Sequence, residues 1–446
     1  MRPDQPPLSA GSLAPDRIAR LPLRPGELAV VVGAGVSGEA AARLLAAAGV
    51  RARLLERKAE NIPARFLEYA RAGGVEILAG EHSPEQFAGA SLVVASPGVP
   101  LSVLVPLLKA VPPPAPPLMG EMELALALAD EPVLAVTGSS GKTTTASLAA
   151  AMLREAGRSV FLGGNIGIPL SSHVLEGRRA DVLVLEVSSF QLQGCKSLRP
   201  KVGILLNLTP NHLDRHAGMA EYAEAKFSLF ARQTREDVAV LPPELEEDFC
   251  RRGLAARREI FADRGRFPRT RLLGRHNAAN AEAAYLAARV FGVDEEAAAR
   301  AVAGFTPLRH RLEPAGSLGG VLYVNDSKCT TVDSLRAALS AFEAPILLLA
   351  GGRFKGGDLA GLGELLRRRV KAVVLFGACR EVFETAWTGI VPLSWHESLA
   401  PAFAEARQRA AGGDVVLLSP AAASYDLYAN YEQRGDHFCR LVRELS

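Results

Sequence analysis

Short apolar runs alternate with Ala/Leu-rich stretches of helical spacing from residue 28 to the end of the chain. Residues 28–32, 54–55, 75–78 and 92–95 read as strands, and an Ala/Leu helix follows the first Gly-rich turn through Ala48. Further strands are expected at 132–136, 181–185 and 202–206, then at 321–324, 345–350, 372–376 and 414–418. Near-continuous apolar strands separated by helices are the pattern of βαβ units, whose parallel sheets are covered on both faces. Residues 87–108 carry no charge over a length that could span a bilayer. Pro97, Gly98, Pro100 and Pro106 interrupt that stretch, so it reads as a buried strand followed by a loop. Residues 111–117, Val-Pro-Pro-Pro-Ala-Pro-Pro, are too proline-rich for a helix or central strand and make the best candidate linker.

At ~150 residues per domain, 446 residues allow about three domains. The alternation divides into a Pro-rich leader at 1–27 and α/β blocks at 28–117, 118–308 and 309–446. Lys plus Arg number 51 against 48 Asp plus Glu, leaving +3, and aromatics are 6%. That balance argues against a dominant polyanion-binding face and against stacking platforms for single-stranded nucleic acid. The Arg-rich stretch 251–275 also contains Glu259 and Asp263 and reads as a solvated face. Cys195, Cys250, Cys329, Cys379 and Cys439 are scattered without a CxxC pair, which suits neither a disulfide framework nor a zinc site. The leader has no apolar signal-like core. A soluble, cytoplasmic, monomeric protein is expected, without nucleic-acid or membrane partners.

Thr137-Gly-Ser-Ser-Gly-Lys-Thr-Thr-Thr145 follows a strand and opens a helix at 146–156. In that context the backbone N–H groups of Gly138, Ser139, Ser140 and Gly141 and the helix N-terminus face phosphate oxygens. Lys142 adds a point charge, the Thr143 hydroxyl suits Mg²⁺, and Thr144 extends the cradle. The spacing is GxxGKT, with Val136 where the longer P-loop pattern has its first glycine. Glu186 ends the next apolar strand, on the edge where ligands collect in open α/β sheets, and is a candidate Mg²⁺ ligand.

Val32-Gly-Ala-Gly-Val-Ser-Gly38 also joins strand to helix and spells GxGxxG, with Glu56 ending the following strand 18 residues after Gly38. The physics asks only for a diphosphate near a helix N-terminus, so NAD, FAD and UDP-linked compounds all qualify. Taken alone, this motif supports an NAD(P)-dependent oxidoreductase. A second block spent on a P-loop does not.

A series of motifs in a fixed order runs on both sides of the P-loop. They are Ser96-Pro-Gly-Val99, Gly120-Glu-Met-Glu-Leu124, Gly163-Gly-Asn-Ile-Gly167, Leu185-Glu-Val-Ser-Ser-Phe-Gln-Leu192 and Asn207-Leu-Thr-Pro-Asn-His-Leu-Asp-Arg-His216. Tyr222-Ala-Glu-Ala-Lys226, Gly274-Arg-His-Asn-Ala-Ala-Asn280, His310-Arg311, Asn325-Asp-Ser-Lys328, Gly351-Gly-Arg-Phe-Lys-Gly356, Ser419-Pro-Ala-Ala-Ala-Ser-Tyr-Asp426 and Asn430-Tyr-Glu-Gln-Arg-Gly-Asp436 complete it. From about residue 28 to the C-terminus the chain resembles the Mur ligases, ATP-dependent amide-forming enzymes of peptidoglycan precursor synthesis. Glu-Val-Ser-Ser-Phe-Gln-Leu and Asn-Tyr-Glu-Gln-Arg-Gly-Asp favour the branch that adds D-glutamate.

The resemblance implies a Rossmann-like nucleotide-sugar domain, a central P-loop ATPase-like domain and a C-terminal Rossmann-like domain that brings the amino acid. It implies ATP, UDP-N-acetylmuramoyl-L-alanine and D-glutamate as substrates, an acyl-phosphate intermediate, and two Mg²⁺ ions. Lys142 and Thr143 would serve the ATP phosphates and one Mg²⁺. Glu186, His212 and Lys226 match ligands of the other, Lys226 as the carbamylated lysine of the family. Asn277 and Asn280, on one helix face at i and i+3, match an adenine-recognising pair, with Arg311 and Asp326 closing over ATP. Gly35, Val36, Ser37, Glu56, Arg57, Ser96 and Asn165 match the UDP-substrate side. Lys328, Thr330, Lys355, Ser424 and Tyr431 match the D-glutamate side, where a dicarboxylate needs cations and hydroxyl donors. Four positions depart from the family pattern: Glu56 for Asp, Asn211 for an acid, Thr331 for Asn and Tyr431 for Phe. Other readings are another Mur ligase, a folylpolyglutamate synthetase-like ligase, the oxidoreductase above, or a non-catalytic nucleotide-binding regulator.

Overall fold

The computed structural model describes residues 13–211 and 215–445. Strands β1 (Leu28–Val32), β2 (Arg51–Glu56), β3 (Glu76–Ala79), β4 (Ala90–Ala95) and β5 (Leu118–Gly120) form a parallel sheet in the order β3-β2-β1-β4-β5. Val30, Val31 and Val32 are fully buried, as a central parallel strand requires. A second parallel sheet contains β6 (Val133–Thr137), β7 (Val160–Gly164), β8 (Val182–Glu186), β9 (Val202–Leu205), β10 (Val238–Leu241) and β11 (Arg257–Ile260), ordered β11-β10-β9-β6-β8-β7. The third contains β12 (Glu313–Leu318), β13 (Val321–Asn325), β14 (Ile346–Gly351), β15 (Val370–Phe376), β16 (Leu393–His396) and β17 (Val415–Leu418). Its order is β12-β13-β17-β14-β15-β16, parallel except for the antiparallel edge strand β12.

These sheets lie in two compact units. One comprises the chain up to Ala262 with Ala283–Ala298, the other Asp263–Glu282 with the chain from Ala299. In the first unit a single apolar cluster joins residues of both sheets, including Leu45, Leu92, Leu124, Leu170 and Leu185. In the second, Leu273 packs against the cluster under the third sheet, and the Gly274 Cα lies close to Ala341. The segment before the Arg275–Ala288 helix therefore belongs with the C-terminal sheet.

Two sequence expectations change. The uncharged stretch beginning at Phe87 continues past β4 as a helix, Leu101–Lys109, with Pro106 inside it, where a loop was expected. The proline run is followed by β5, which pairs with β4, so it closes the first sheet instead of separating it from the next. No described helix is long and apolar enough to cross a membrane.

Candidate functional site

In each sheet the motif residues collect at the carboxyl ends of neighbouring strands, as expected for open α/β folds. The GSSGKT loop leaves β6 and starts the Lys142–Glu155 helix from Gly141, at φ +81. Gly138 has φ +150, and a Cβ there would lie 3.0 Å from the Leu206 Cβ, so only glycine suits the turn. The strand beside it holds the loop in shape. Ser139 N–H donates to the Asn207 carbonyl (3.1 Å), and Ser140 N–H donates to Asn207 Oδ1 (2.9 Å). The Ser139 hydroxyl donates to the Thr209 carbonyl (2.9 Å) and accepts from the Tyr222 hydroxyl (3.1 Å). Lys142 Nζ folds back to donate to the carbonyls of Gly138 (2.9 Å) and Ser139 (3.1 Å).

Glu186 sits at the end of β8, beside β6. It is 2% exposed; Oε1 accepts from Asn165 Nδ2 at 2.8 Å, while Oε2 is buried with no hydrogen-bond donor. An orphaned carboxylate oxygen is costly unless something else satisfies it, and a hard cation does so. Lys226, from the Met219–Phe227 helix, is 1% exposed and lies under the same loop. Its Nζ donates to the Gly138 carbonyl at 2.9 Å and to Thr137 Oγ1 at 3.4 Å, and sits 4.6 Å from the Tyr222 ring centre. Burial, then the charge of Lys142, pushes this ammonium down to about 6, with Glu186 pulling the other way. Glu186 and the Thr143 hydroxyl are oxygen donors of the kind Mg²⁺ takes. Lys226 fits a cation only if its own charge is removed. His212 lies outside the described residues, and among those described no group of three His, Cys, Asp or Glu side chains could hold a metal.

The Glu-Val-Ser-Ser-Phe motif has a structural task as well. The Ser189 hydroxyl shares a buried 2.9 Å hydrogen bond with His216 Nε2, and Phe190 stacks on His216 at 5.3 Å.

A cavity of about 560 Å³ opens at the ends of β1, β2 and β4. Gly35, Val36, Ser37, Glu56, Ser96 and Asn165 all line it, as does Gln191. Arg57 does not; it is exposed and pairs with Glu81 at 2.7 Å. Glu56 acts on the Gly-rich turn itself: Oε2 accepts from Ala34 N–H (2.8 Å), and Oε1 accepts from Lys58 N–H and Asn61 Nδ2 (both 3.2 Å). Burial opposes ionisation, but these donors outweigh it and hold the carboxyl below its ordinary range. The Ser96 hydroxyl donates to the Gly33 carbonyl at 2.9 Å, tying the end of β4 to the same turn.

In the second unit, Asn280 Nδ2 donates to Asn277 Oδ1 (3.1 Å) and Asn277 Nδ2 donates to the Leu273 carbonyl (2.7 Å), so the pair is preset. Arg311 is flanked by His310 at φ +64 and Leu312 at φ +42, both in the left-handed region that costs a non-glycine residue energy. Asp326 clamps this turn: Oδ1 accepts from Leu312 N–H (3.2 Å) and Oδ2 from the Ser419 hydroxyl (2.8 Å). Burial pushes Asp326 up to about 7 despite those bonds.

Lys328, Lys355 and Ser424 follow β13, β14 and β17, which are adjacent in the sheet. Arg434, fully buried, ties the first two of these exits together. Nε and Nη2 donate to the Ser327 hydroxyl and carbonyl (3.0 and 2.8 Å), and Nη1 donates to the Gly351 carbonyl (3.2 Å). Ser424 is 2% exposed, and Thr330 is half-buried just before the Val332–Ser340 helix that Thr331 caps. Asn207, Tyr222 and Arg434 escaped selection as site residues, although each lies within a quoted motif; their partners are remote in sequence.

Three family models match the chain. They are a Mur ligase MurD-like N-terminal domain at residues 27–111, a Mur ligase middle domain at 136–261 and a Mur ligase glutamate ligase domain at 310–422. UDP-N-acetylmuramoylalanine–D-glutamate ligase of Nitratidesulfovibrio vulgaris strain DP4 is 58% identical over 425 residues, 95% of this chain and 98% of that protein. The protein of the same name from Desulfovibrio desulfuricans is 57% identical over 424 residues, covering 94% and 97%. Among solved structures, the MurF ligase from Thermotoga maritima in complex with ADP aligns with TM-score 0.60 and 18% identity over 89% of this chain and 96% of that one, a likeness of fold.

Proposed function

The chain belongs to the Mur ligase family, and from that premise we propose that it joins D-glutamate to UDP-N-acetylmuramoyl-L-alanine at the expense of ATP, working as a cytoplasmic monomer. The observation that carries the reading is the GSSGKT loop with the orphaned Glu186 oxygen and buried Lys226 in the same unit. A carboxylate resists attack by an amine. Transfer of the γ-phosphoryl group of ATP to the L-alanyl carboxylate gives an acyl phosphate and ADP. The neutral D-glutamate amine then attacks the acyl carbon, phosphate leaves, and the nitrogen gives up a proton. Catalysis of this kind rests on positioning and charge neutralisation more than on covalent chemistry.

We assign UDP-sugar to the block at 28–117, ATP to 118–308 and the amino acid to 309–446. Gly35, Val36 and Ser37 offer the turn and helix start to the diphosphate. Glu56 keeps that turn in shape, and Ser96 and Asn165 face the same cavity. Gly138 to Thr144 cradle the ATP phosphates, with Lys142 leaving its loop carbonyls for phosphate oxygen. Asn277, Asn280, Arg311 and Asp326 hold the nucleoside. Lys328, Thr330, Lys355 and Ser424 receive D-glutamate, with Tyr431 lining the same side. Mg²⁺, held by Thr143, Glu186, His212 and a carbamylated Lys226, would neutralise phosphoryl charge when bound. For Lys226, the lone pair of the neutral amine bonds to the carbon of CO₂ and a proton leaves, turning a buried amine into an anionic oxygen ligand.

Phosphate release from ATP, measured with UDP-N-acetylmuramoyl-L-alanine and each amino acid in turn, tests the reading. Release should be stimulated by D-glutamate well above L-glutamate or L-lysine. Equal stimulation removes the specificity, and none at all removes the ligase reaction.

A further inference from the structure

Both ammonium groups assigned to the amino acid rest against a tyrosine. Lys328 Nζ donates to the Tyr431 hydroxyl oxygen at 3.0 Å and lies 4.7 Å from its ring centre. Lys355 Nζ lies 5.5 Å from the centre of the Tyr425 ring, which is 64% exposed. The first seat is rigid at both ends. Tyr431 opens the Tyr431–Arg443 helix, whose cap Asn430 accepts from Gln433 N–H. Its carbonyl accepts from the Ser327 hydroxyl at 2.8 Å, and Ser327 is itself gripped by buried Arg434. Lys328 N–H donates to the His310 carbonyl at 3.1 Å, so the lysine is fixed through backbone and amine alike.

We propose that Tyr431 and Tyr425 are positioning residues for the amino acid, the Tyr431 phenol oxygen holding the Lys328 ammonium and the Tyr425 ring seating Lys355. This rests on the ligand assignment above. A lysine stem is rich in rotamers and gives up that freedom when it grips a carboxylate. An amine already seated has given it up before the amino acid arrives, which tightens binding by preorganisation. Burial, then the neighbouring Glu432, pushes the Tyr431 phenol up to about 12, so it stays neutral and its oxygen remains an acceptor.

Tyr431→Phe keeps the ring and removes the oxygen. In the full-length enzyme the KM for D-glutamate should rise about tenfold, the scale of one charge-assisted hydrogen bond, with kcat and the KM for ATP held within about twofold. An unchanged KM for D-glutamate overturns the proposal, and so does a parallel loss in all three constants, which a merely structural role would produce. Tyr425→Leu should raise the same KM about threefold, on the scale of an exposed cation–π contact; no rise overturns its half of the proposal. A second measurement needs no turnover. Acetylation of Lys328 by acetic anhydride, followed by peptide mass spectrometry, should run several-fold faster in Tyr431→Phe, and an equal rate overturns the Lys328 seat. If the unaltered enzyme shows no D-glutamate-dependent phosphate release, the substrate assignment fails while the acetylation rates still decide the contact.

Discussion

Lys142 and Lys226 donate to the same Gly138 carbonyl, yet their surroundings give them different chemistry. Lys142 opens the helix at the loop and can swing to phosphate. Lys142→Ala should lower turnover at least a thousandfold, the scale of a lost phosphoryl-charge clamp, with little change in thermal midpoint; retained activity would take the loop out of the mechanism. Lys226 is buried and pushed down to about 6, so near neutral pH it holds a free amine, the form that the proposed carbamate requires. Lys226→Ala should lose activity and regain part of it with a short carboxylic acid filling the vacated space, whereas absence of any rescue would count against the carbamate. Asp326 runs the opposite way. Its folded pKa of about 7 exceeds the ~3.9 of an unfolded chain, so its protonated form stabilises the fold at low pH. That contribution is lost as pH rises from about 4 through 7, on the order of 4 kcal/mol in total. Asp326→Asn, measured without ATP, should therefore gain thermal stability over the unaltered protein progressively between pH 5 and 7.5. A constant difference across that range would show that burial does not hold the proton there.

Elements were legible where burial is complete. β1, β6, β8 and β14 are buried along their whole length and stand out as apolar runs. Edge strands β11, β12 and β16 have half-exposed patterns and no such run, so neighbours decide them. The Gly-rich turns were legible for a related reason, since glycine spacing reports backbone crowding directly. A Cβ on Gly38 would fall 1.8 Å from the Gly33 carbonyl oxygen. Gly38→Ala should cost about 3 kcal/mol or more through forced backbone movement and raise the KM for the UDP-linked substrate over tenfold while sparing that for ATP. Wild-type thermal stability and an unchanged KM would show that the turn tolerates a side chain. The proline run misled for the converse reason. Proline excludes helix and central strand locally but says nothing about which sheet the chain joins next, and β5 joins the first.

At the scale of the molecule, the near-neutral balance of +3 goes with local pairing of opposite charges. Arg251 pairs with Glu247, Arg258 with Glu246, Arg266 with Glu282 and Arg289 with Glu259, all in or beside the Arg-rich stretch. Under the proposed function, anionic substrates would thus meet localised loops instead of a basic face. The KM values for ATP and the UDP-linked substrate should change less than about threefold between 50 and 300 mM KCl, and a steep salt dependence would expose a polyanion-binding surface. The division into units differs from the sequence blocks, because Asp263–Glu282 packs with the C-terminal sheet through Leu273. By itself the sequence determined the three α/β blocks, the two Gly-rich turns and the family, and it named the candidates for each site, because apolar runs, glycine crowding and motif order are properties of neighbouring residues. Only the tertiary structure decided that Glu186 keeps an unsatisfied oxygen, that Lys226 is buried, that Glu56 braces the Gly-rich turn, and that Arg434 and Tyr431 hold the loop of Lys328. Those facts depend on burial and on hydrogen bonds between residues remote along the chain, and only folding brings such partners together.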